Sequence, residues 1–215
     1  MTEEWTTAER EVAETLGRIR ILPVLSVTDV DEVEPTCRAL VAGGVPCVEI
    51  TFRTAVAAVA IERASRIDGL LVGAGTVLCA DQARAAVRAG ARFALAPGIS
   101  EPVASASREL DLPFFPGVAT ASEIDRARRL GCRILKVFPA STVGGPAFLR
   151  AVSGPYPDVR FIPTGGIDAS TLSDYLAVSS VLACGGSWLC DRQLIAEGRF
   201  DEIERRARAA VETAA

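Results

Sequence analysis

Two charged side chains stand inside segments of the sequence that otherwise resemble buried β-strands. Glu49 lies in the apolar run 45–52, and Lys136 lies in the apolar run 133–138. Strands of a parallel sheet are covered on both faces, so charges inside them are unusual. A lysine amine can attack a carbonyl carbon, and a carboxylate can move protons. Glu49 and Lys136 are therefore the first candidates for catalytic groups.

Lys136 is also the only lysine of the chain, because the other 22 of its 23 basic residues are arginines. An arginine stays protonated, whereas a lysine amine can lose its proton and form a Schiff base. The structural alternative is a lysine at a strand end that extends to solvent. Because the chain uses arginine for every other basic residue, its single lysine is expected at a position where arginine cannot do the same chemistry. We therefore predict a Schiff-base lysine in an apolar interior that favours its neutral form, with Glu49 as the acid–base group.

Two more polar residues follow Glu49 at strand spacing. With a period of two, Glu49, Thr51 and Arg53 share one face of the strand, and the apolar residues between them share the other. An ion pair between Glu49 and Arg53 is the structural alternative. Thr76 ends the next predicted strand and offers a hydroxyl near Arg53. A guanidinium and a hydroxyl together can hold the carboxylate of a 2-oxo acid.

Paired glycines end the last two predicted strands. The sequence there reads Thr164-Gly165-Gly166 and, further along, Gly185-Gly186-Ser187. Backbone N–H groups can converge on a ligand where no Cβ obstructs them, and a helix that starts at Ser187 would add its dipole and a hydroxyl. Two ordinary tight turns are the alternative. In (β/α)₈ barrels these loops commonly bind phosphate, so we predict a phosphorylated carbonyl substrate.

Strand-length apolar runs alternate with segments of helical spacing along the whole chain. The predicted strands are 21–25, 45–52, 70–76, 92–96, 113–118, 133–138, 160–164 and 181–185, and the clearest helices are 33–42, 80–89, 121–130 and 169–176. This pattern predicts a (β/α)₈ TIM barrel over the single domain 1–215, with a helix at 7–18 inside a capping segment 1–19. An open doubly wound sheet is the alternative. Its GxGxxG fingerprint is missing, because Gly73-Ala-Gly75-Thr76 lacks the third glycine.

The composition of the 215 residues excludes several classes of function. A net charge of −4 disfavours binding to nucleic acid or to an anionic membrane. The chain contains no His, so histidine metal sites, Ser-His-Asp triads and Cys-His dyads are excluded. The start lacks the pattern of a signal peptide, no apolar run is long enough to span a membrane, and the six cysteines form no CxxC pair. We expect a cytoplasmic protein that binds a small molecule.

Seven segments of the chain, in order and at characteristic spacing, resemble one enzyme family. They are LVAGGVPCVEITFRT, VGAGTV, ALAPGISEP, FPGVATASE, ILKVFPA, RFIPTGGI and VLACGGSWL. From about residue 21 to 210, the chain resembles the 2-dehydro-3-deoxy-phosphogluconate (KDPG) and 4-hydroxy-2-oxoglutarate (KHG) aldolases. These are class I aldolases of the Entner–Doudoroff pathway.

The resemblance implies a role for each candidate residue. Lys136 matches the Schiff-base lysine, Glu49 matches the general acid–base, and Arg53 with Thr76 match the binders of the pyruvate carboxylate. The residues that match the phosphate loops are Gly165, Gly166, Gly186 and Ser187. Thr164 matches the threonine of the gluconate-type enzymes, where galactonate-specific relatives carry an apolar residue. The chain departs from the family pattern at 141–143, where Ser-Thr-Val replaces an acidic-small-Asn run.

The resemblance also implies a compact (β/α)₈ barrel, a homotrimer, and catalysis without a metal or an organic cofactor. The predicted reaction cleaves 2-dehydro-3-deoxy-6-phosphogluconate to pyruvate and D-glyceraldehyde 3-phosphate. The same site could cleave 4-hydroxy-2-oxoglutarate to pyruvate and glyoxylate. Alternatives are a 2-dehydro-3-deoxy-6-phosphogalactonate aldolase, another phosphate-binding barrel isomerase or synthase, and a non-catalytic barrel that senses a sugar phosphate.

Overall fold

The computed structural model describes residues 5–215, and residues 1–4 of the predicted capping segment lie outside the described residues. The strands of this part of the chain closely follow the predicted ones. They are β1 (Ile21–Leu25), β2 (Cys47–Thr51), β3 (Leu71–Gly75), β4 (Phe93–Leu95), β5 (Phe114–Phe115), β6 (Gly117–Val118), β7 (Ile134–Val137), β8 (Arg160–Pro163) and β9 (Cys184–Gly186).

Helices fill most of the connections between these strands, one helix precedes β1, and two follow β9. They are α1 (Thr7–Ile19), α2 (Val33–Ala42), α3 (Ala57–Ser65), α4 (Ala80–Arg88), α5 (Glu101–Glu109), α6 (Ala121–Arg129), α7 (Gly145–Ser153), α8 (Leu172–Leu176), α9 (Arg192–Ala196) and α10 (Phe200–Ala214). The predicted N-terminal helix is present, and it begins at a capping box formed by Thr6 and Glu9. Helix α8 begins later than predicted, because the carboxylate of Asp168 accepts the N–H groups of Ser170 and Thr171.

All strand pairs are parallel, and they form two curled sheets. The larger sheet has the order β5-β4-β3-β2-β1-β9, and the smaller has the order β6-β7-β8. The predicted strand 113–118 is divided at Pro116, because proline has no N–H to donate to a ladder. The predicted α/β class with a parallel sheet is thus confirmed. The paired strands form sheets of six and three rather than one continuous eight-stranded cylinder.

Apolar side chains fill the space between the sheets and the helices. A small set of polar or charged side chains is buried with them, namely Thr36, Glu49, Thr51, Ser107, Lys136 and Thr164. Four of these six residues lie on β2 or β7, or directly after β8, so the buried polar groups concentrate where the sequence predicts a site. No helix in the described range 5–215 is long and apolar enough to cross a membrane.

Candidate active site

The amine of Lys136 and the carboxylate of Glu49 are in direct contact inside the fold. Lys136 Nζ donates hydrogen bonds to Glu49 Oε1 at 2.9 Å and to Oε2 at 3.2 Å. Glu49 is fully buried and Lys136 is 4% exposed. The alternative in which Lys136 extends to solvent is therefore wrong. Glu49 pairs with Lys136 and not with Arg53, so the alternative of an ion pair between Glu49 and Arg53 is also wrong.

Small residues on the neighbouring strands make room for this pair. Glu49 stands opposite Gly73 in the ladder between β2 and β3, and Lys136 stands opposite Gly117 in the ladder between β6 and β7. The Glu49 side chain runs along β3 as far as Gly75, where an added Cβ would lie 2.6 Å from Glu49 Cγ. The Phe138 ring covers the amine, with its centroid 5.8 Å from Lys136 Nζ. The two charges thus meet in a mostly apolar pocket.

Arg53 and Thr76 leave adjacent strands at the same edge of the sheet. Strand β2 ends at Thr51, so Arg53 lies just beyond it and is exposed. Phe52 N donates a hydrogen bond to Gly75 O at 2.8 Å. Arg53 and Thr76, which follow these two residues, therefore lie near each other. Thr76 has φ = 55°, a left-handed conformation that a β-branched residue rarely adopts. Such strain often marks a functional position.

Thr164, Gly165 and Gly166 form the turn after β8. Thr164 N donates to Val137 O at 2.9 Å, and the buried side chain of Thr164 packs against Gly185. Gly165 and Gly166 have φ of 98° and 74°, values that require glycine. The turn therefore places glycine backbone, exposed at Gly166, beside the strand that carries Lys136.

Gly186 and Ser187 stand at the end of β9, where one prediction needs correction. Gly186 is the last residue of the strand, and Ser187 is exposed in the bend that follows. The predicted helix start at Ser187 is wrong. The helix begins at Arg192, because the carboxylate of Asp191 accepts Gln193 N at 2.8 Å and caps it there. Ser187 can thus contribute a hydroxyl but no helix dipole.

Two residues near the site were not among the predicted site residues. Thr51 is 1% exposed and lies two positions after Glu49, and the period of two already placed it on the same face. Ser141 lies in the segment that departs from the family pattern. Its side chain packs against Gly166, where an added Cβ would lie 2.6 Å from Ser141 Cβ, and Ser141 N donates to Gly165 O at 3.1 Å. Only the tertiary contact shows that Ser141 supports this turn.

All six cysteines are free thiols, with no disulfide within residues 5–215. Cys79 is exposed and the other five are buried. Burial disfavours the thiolate, and it raises the pKa of Cys37, Cys132 and Cys184 to about 12. Burial also raises the pKa of Cys47 and Cys190. In the same range, no three His, Cys, Asp or Glu side chains are grouped so that they could hold a metal ion.

The chain is similar in sequence and in fold to known proteins. The family profile for KDPG and KHG aldolase matches residues 12–206. A 2-dehydro-3-deoxy-phosphogluconate aldolase of Treponema pallidum is 44% identical over 193 residues, which is 89% of this chain and 92% of that protein.

Two solved structures superpose over almost the whole chain. KDPG aldolase from Legionella pneumophila, with pyruvate captured as a covalent carbinolamine, has a TM-score of 0.89 and 34% identity, over 96% of this chain and 99% of that one. The 2-keto-3-deoxy-6-phosphogluconate aldolase of Zymomonas mobilis, with 3-phosphoglycerate, has a TM-score of 0.86 and 33% identity, over 94% of this chain and 95% of that one. The prediction from the sequence motifs is confirmed: the chain belongs to the KDPG and KHG aldolase family.

Proposed function

We propose that the chain is a class I aldolase that cleaves 2-dehydro-3-deoxy-6-phosphogluconate to pyruvate and D-glyceraldehyde 3-phosphate. The observation that carries this proposal is the buried contact of 2.9 Å between Lys136 Nζ and Glu49 Oε1. It joins a nucleophile for the ketone to a group that can accept and return its proton. Membership of the aldolase family supports the same reaction.

The first half of the reaction forms the Schiff base. Glu49 accepts a proton from the Lys136 ammonium along one of the two hydrogen bonds, and the neutral amine attacks C2 of the 2-oxo acid. A proton moves from nitrogen to oxygen to give the carbinolamine. The protonated Glu49 then gives its proton to the C2 hydroxyl, which leaves as water, and a cationic iminium remains. The proton that left the ammonium departs with the water, so the charges balance.

The second half breaks the carbon–carbon bond. Glu49, again a carboxylate, takes the proton of the C4 hydroxyl. The electrons of the C3–C4 bond move toward the iminium and form an enamine, and glyceraldehyde 3-phosphate leaves. Glu49 then returns the proton to C3, and water hydrolyses the resulting iminium to pyruvate and free Lys136. One buried carboxylate beside the amine is sufficient for every proton transfer in this sequence.

The ends of the substrate are assigned to the strand ends around the pair. Arg53 and Thr76 hold the carboxylate next to C2, supported by the exposure of the guanidinium and by the strained backbone of Thr76. The phosphate binds to the strand-end turns at Gly165, Gly166, Gly186 and Ser187, supported by the left-handed backbone of Gly165 and Gly166 and by the exposure of Gly166 and Ser187. Thr164, buried between these turns and β7, contacts the sugar end of the substrate.

The same site fits a second substrate. Cleavage of 4-hydroxy-2-oxoglutarate to pyruvate and glyoxylate uses the same ketone, the same C4 hydroxyl and the same pair of Lys136 and Glu49. The family name itself couples the two activities. We expect this shorter substrate to gain nothing from the glycine turns, since it carries no phosphate. Comparing kcat/KM for the two substrates, and for the phosphogalactonate isomer, measures the preference directly.

Architecture and assembly are part of the proposal. The two sheets would close into one eight-stranded (β/α)₈ barrel over the single domain 1–215. Isolated parallel bridges from Phe161 to Val181 and from Thr164 to Gly185 support closure on one side. On the other side, only Pro116 separates β5 from β6. The proposal also includes assembly as a homotrimer, which sedimentation would measure. It further includes a cytoplasmic location, which cell fractionation would test.

Trapping of the Schiff base tests the function. Borohydride added together with pyruvate should link pyruvate covalently to Lys136, as peptide mass mapping would show. Lys136→Arg keeps a positive charge that can bind Glu49 but removes the nucleophile, so it should neither trap pyruvate nor cleave substrate. Full activity of Lys136→Arg would rule out the mechanism. If the wild-type protein traps no pyruvate but turns over another phosphorylated sugar, it is an isomerase or a synthase. If it binds a sugar phosphate without turning it over, it is a sensor.

A further inference from the structure

Thr51 carries a buried hydroxyl that has no partner within the described part of the chain. It is the last residue of β2 and is 1% exposed, and its Oγ1 makes no hydrogen bond there. The other two buried threonines differ, because Thr36 Oγ1 donates to Glu32 O at 2.7 Å and Thr164 Oγ1 donates to Ile162 O at 3.4 Å. A buried hydroxyl without a hydrogen bond costs free energy. A valine would fill the same space without that cost.

The position of Thr51 relates this hydroxyl to the reacting pair. Residues two apart on a strand share a face, so Thr51 faces the same side as Glu49. Thr51 stands opposite Gly75 in the ladder between β2 and β3. The Glu49 side chain also reaches Gly75, so its carboxylate extends into the layer of the sheet that Thr51 occupies. Thr51 thus lies between the proton-transferring carboxylate and Arg53, which follows at the strand end.

We propose that Thr51 is a further catalytic residue, whose hydroxyl binds the oxygen atom on C2 of the substrate. This inference rests on the proposed aldolase function. The oxygen is first the ketone oxygen, then the hydroxyl of the carbinolamine, and finally the released water. The C2–N bond forms and the C2–O bond breaks, while protons move only between Lys136, Glu49 and that oxygen. Thr51 transfers no proton, and it orients the oxygen toward Glu49 by donating a hydrogen bond.

Exchange of the pyruvate carbonyl oxygen with ¹⁸O-labelled water isolates this step. Each cycle of Schiff-base formation and hydrolysis replaces the C2 oxygen, and the rate without enzyme is subtracted. Thr51→Val removes the hydroxyl and keeps the shape, and we expect it to lower the exchange rate and kcat about 10- to 100-fold, the range of one hydrogen bond to a reacting group. Thr51→Ser keeps the hydroxyl and should retain most of both rates.

A matched control removes another unpartnered hydroxyl. Ser107 Oγ on α5 is also buried and without a partner in residues 5–215, so Ser107→Ala should leave exchange and kcat at wild-type values. Thr51→Val should keep or raise the wild-type Tm, since it loses no hydrogen bond within residues 5–215 and avoids the cost of an unpaired buried hydroxyl, and this separates catalysis from folding.

Each outcome has a single interpretation. Wild-type exchange in Thr51→Val would overturn the assignment. An effect of Thr51→Val on KM alone would also overturn it, because the hydroxyl would then bind the substrate carboxylate. An equal loss of rate in Thr51→Ser would overturn it as well, because the methyl group would then act by packing. If the wild-type protein itself neither exchanges the pyruvate oxygen nor traps pyruvate, the proposed function fails, and that result is distinct from a failure of Thr51 alone.

Discussion

Gly75→Ala should inactivate the enzyme without unfolding it. Gly75 lies at the end of β3 beside the carboxylate of Glu49, and an added Cβ would lie 2.6 Å from Glu49 Cγ and 2.7 Å from Cδ. Ordinary contacts begin at 3.4 Å, so the Glu49 side chain must move by about 0.8 Å or more. The backbone at Gly75 is not left-handed, so alanine adds no backbone strain there.

The size of the effect follows from this displacement. Glu49 is held at 2.9 Å and 3.2 Å from Lys136 Nζ, and a shift of nearly 1 Å either breaks these hydrogen bonds or moves the amine as well. Misplacement of a reacting group by about 1 Å costs roughly 10²-fold in rate, or about 2.7 kcal/mol of activation free energy. We expect kcat in the coupled assay of pyruvate release to fall by about that factor. The Tm should change little, since the end of a side chain can adjust.

Two other glycines provide matched controls. Gly73→Ala, on the same strand, would place a Cβ 2.7 Å from Cε1 of the fully buried Phe93, whose ring cannot move aside. This overpacking should lower stability by about 1–3 kcal/mol. Gly154→Ala meets nothing within 4 Å and should leave both Tm and kcat unchanged. Wild-type kcat in Gly75→Ala, or a loss that only follows its Tm, would refute the reasoning.

Four further predictions concern other parts of the site and the cysteines. Glu49→Gln should lower kcat by about 10²–10⁴-fold through loss of acid–base catalysis, and an unchanged kcat would leave Glu49 a structural partner of Lys136. Gly166→Ala would strain the backbone, whose φ is 74°, and would push against Ser141. It should raise KM for the phosphorylated substrate and hardly change KM for 4-hydroxy-2-oxoglutarate. Equal effects on the two KM values would contradict phosphate binding at this turn. A thiol reagent at pH 8 should modify Cys79 quickly and the five buried thiols only in denaturant. Burial raises the pKa of the buried thiols in the folded state, so they ionise more easily in the unfolded chain. The free energy of unfolding should therefore fall as pH rises above about 8.5, where unfolded thiols ionise. A stability that stays constant at alkaline pH would contradict this.

The strands were predictable because their sequence pattern is set by burial on both faces. Strand β1 has the predicted bounds, and the other strands differ from theirs by a few residues at the ends. The division at Pro116 was not predicted, although the proline was visible, because an apolar run does not show which neighbour each half pairs with. The helix after Ser187 begins later than predicted, since Asp191 forms the cap. Local side-chain hydrogen bonds thus decide boundaries that periodicity leaves open.

The candidate site was predictable to the extent that it violates the rules for buried strands. A charge within an apolar run identified both Glu49 and Lys136, but the sequence offered Arg53 as a partner for Glu49 as readily as Lys136. The choice depends on the length of the strand. Because β2 ends at Thr51, Arg53 lies outside it and reaches solvent, whereas Lys136 lies within β7 and faces the carboxylate. Glu49 and Lys136 are 87 residues apart in the chain, so only the fold, and not their spacing in the sequence, shows that they are in contact.

The destabilising features of this region are local and occur together. Two charges are buried at the centre of the sheets, the Thr51 hydroxyl has no partner among residues 5–215, and Thr76 adopts a left-handed backbone. Each costs free energy in the free protein, and an apolar or glycine residue would avoid it. In the proposed function, one bound 2-oxo acid would contact all three places: its C2 carbon would bond to the amine, its C2 oxygen would accept a hydrogen bond from the Thr51 hydroxyl, and its carboxylate would bind beside Thr76. On that proposal, the groups that cost the fold free energy are the groups that the substrate contacts.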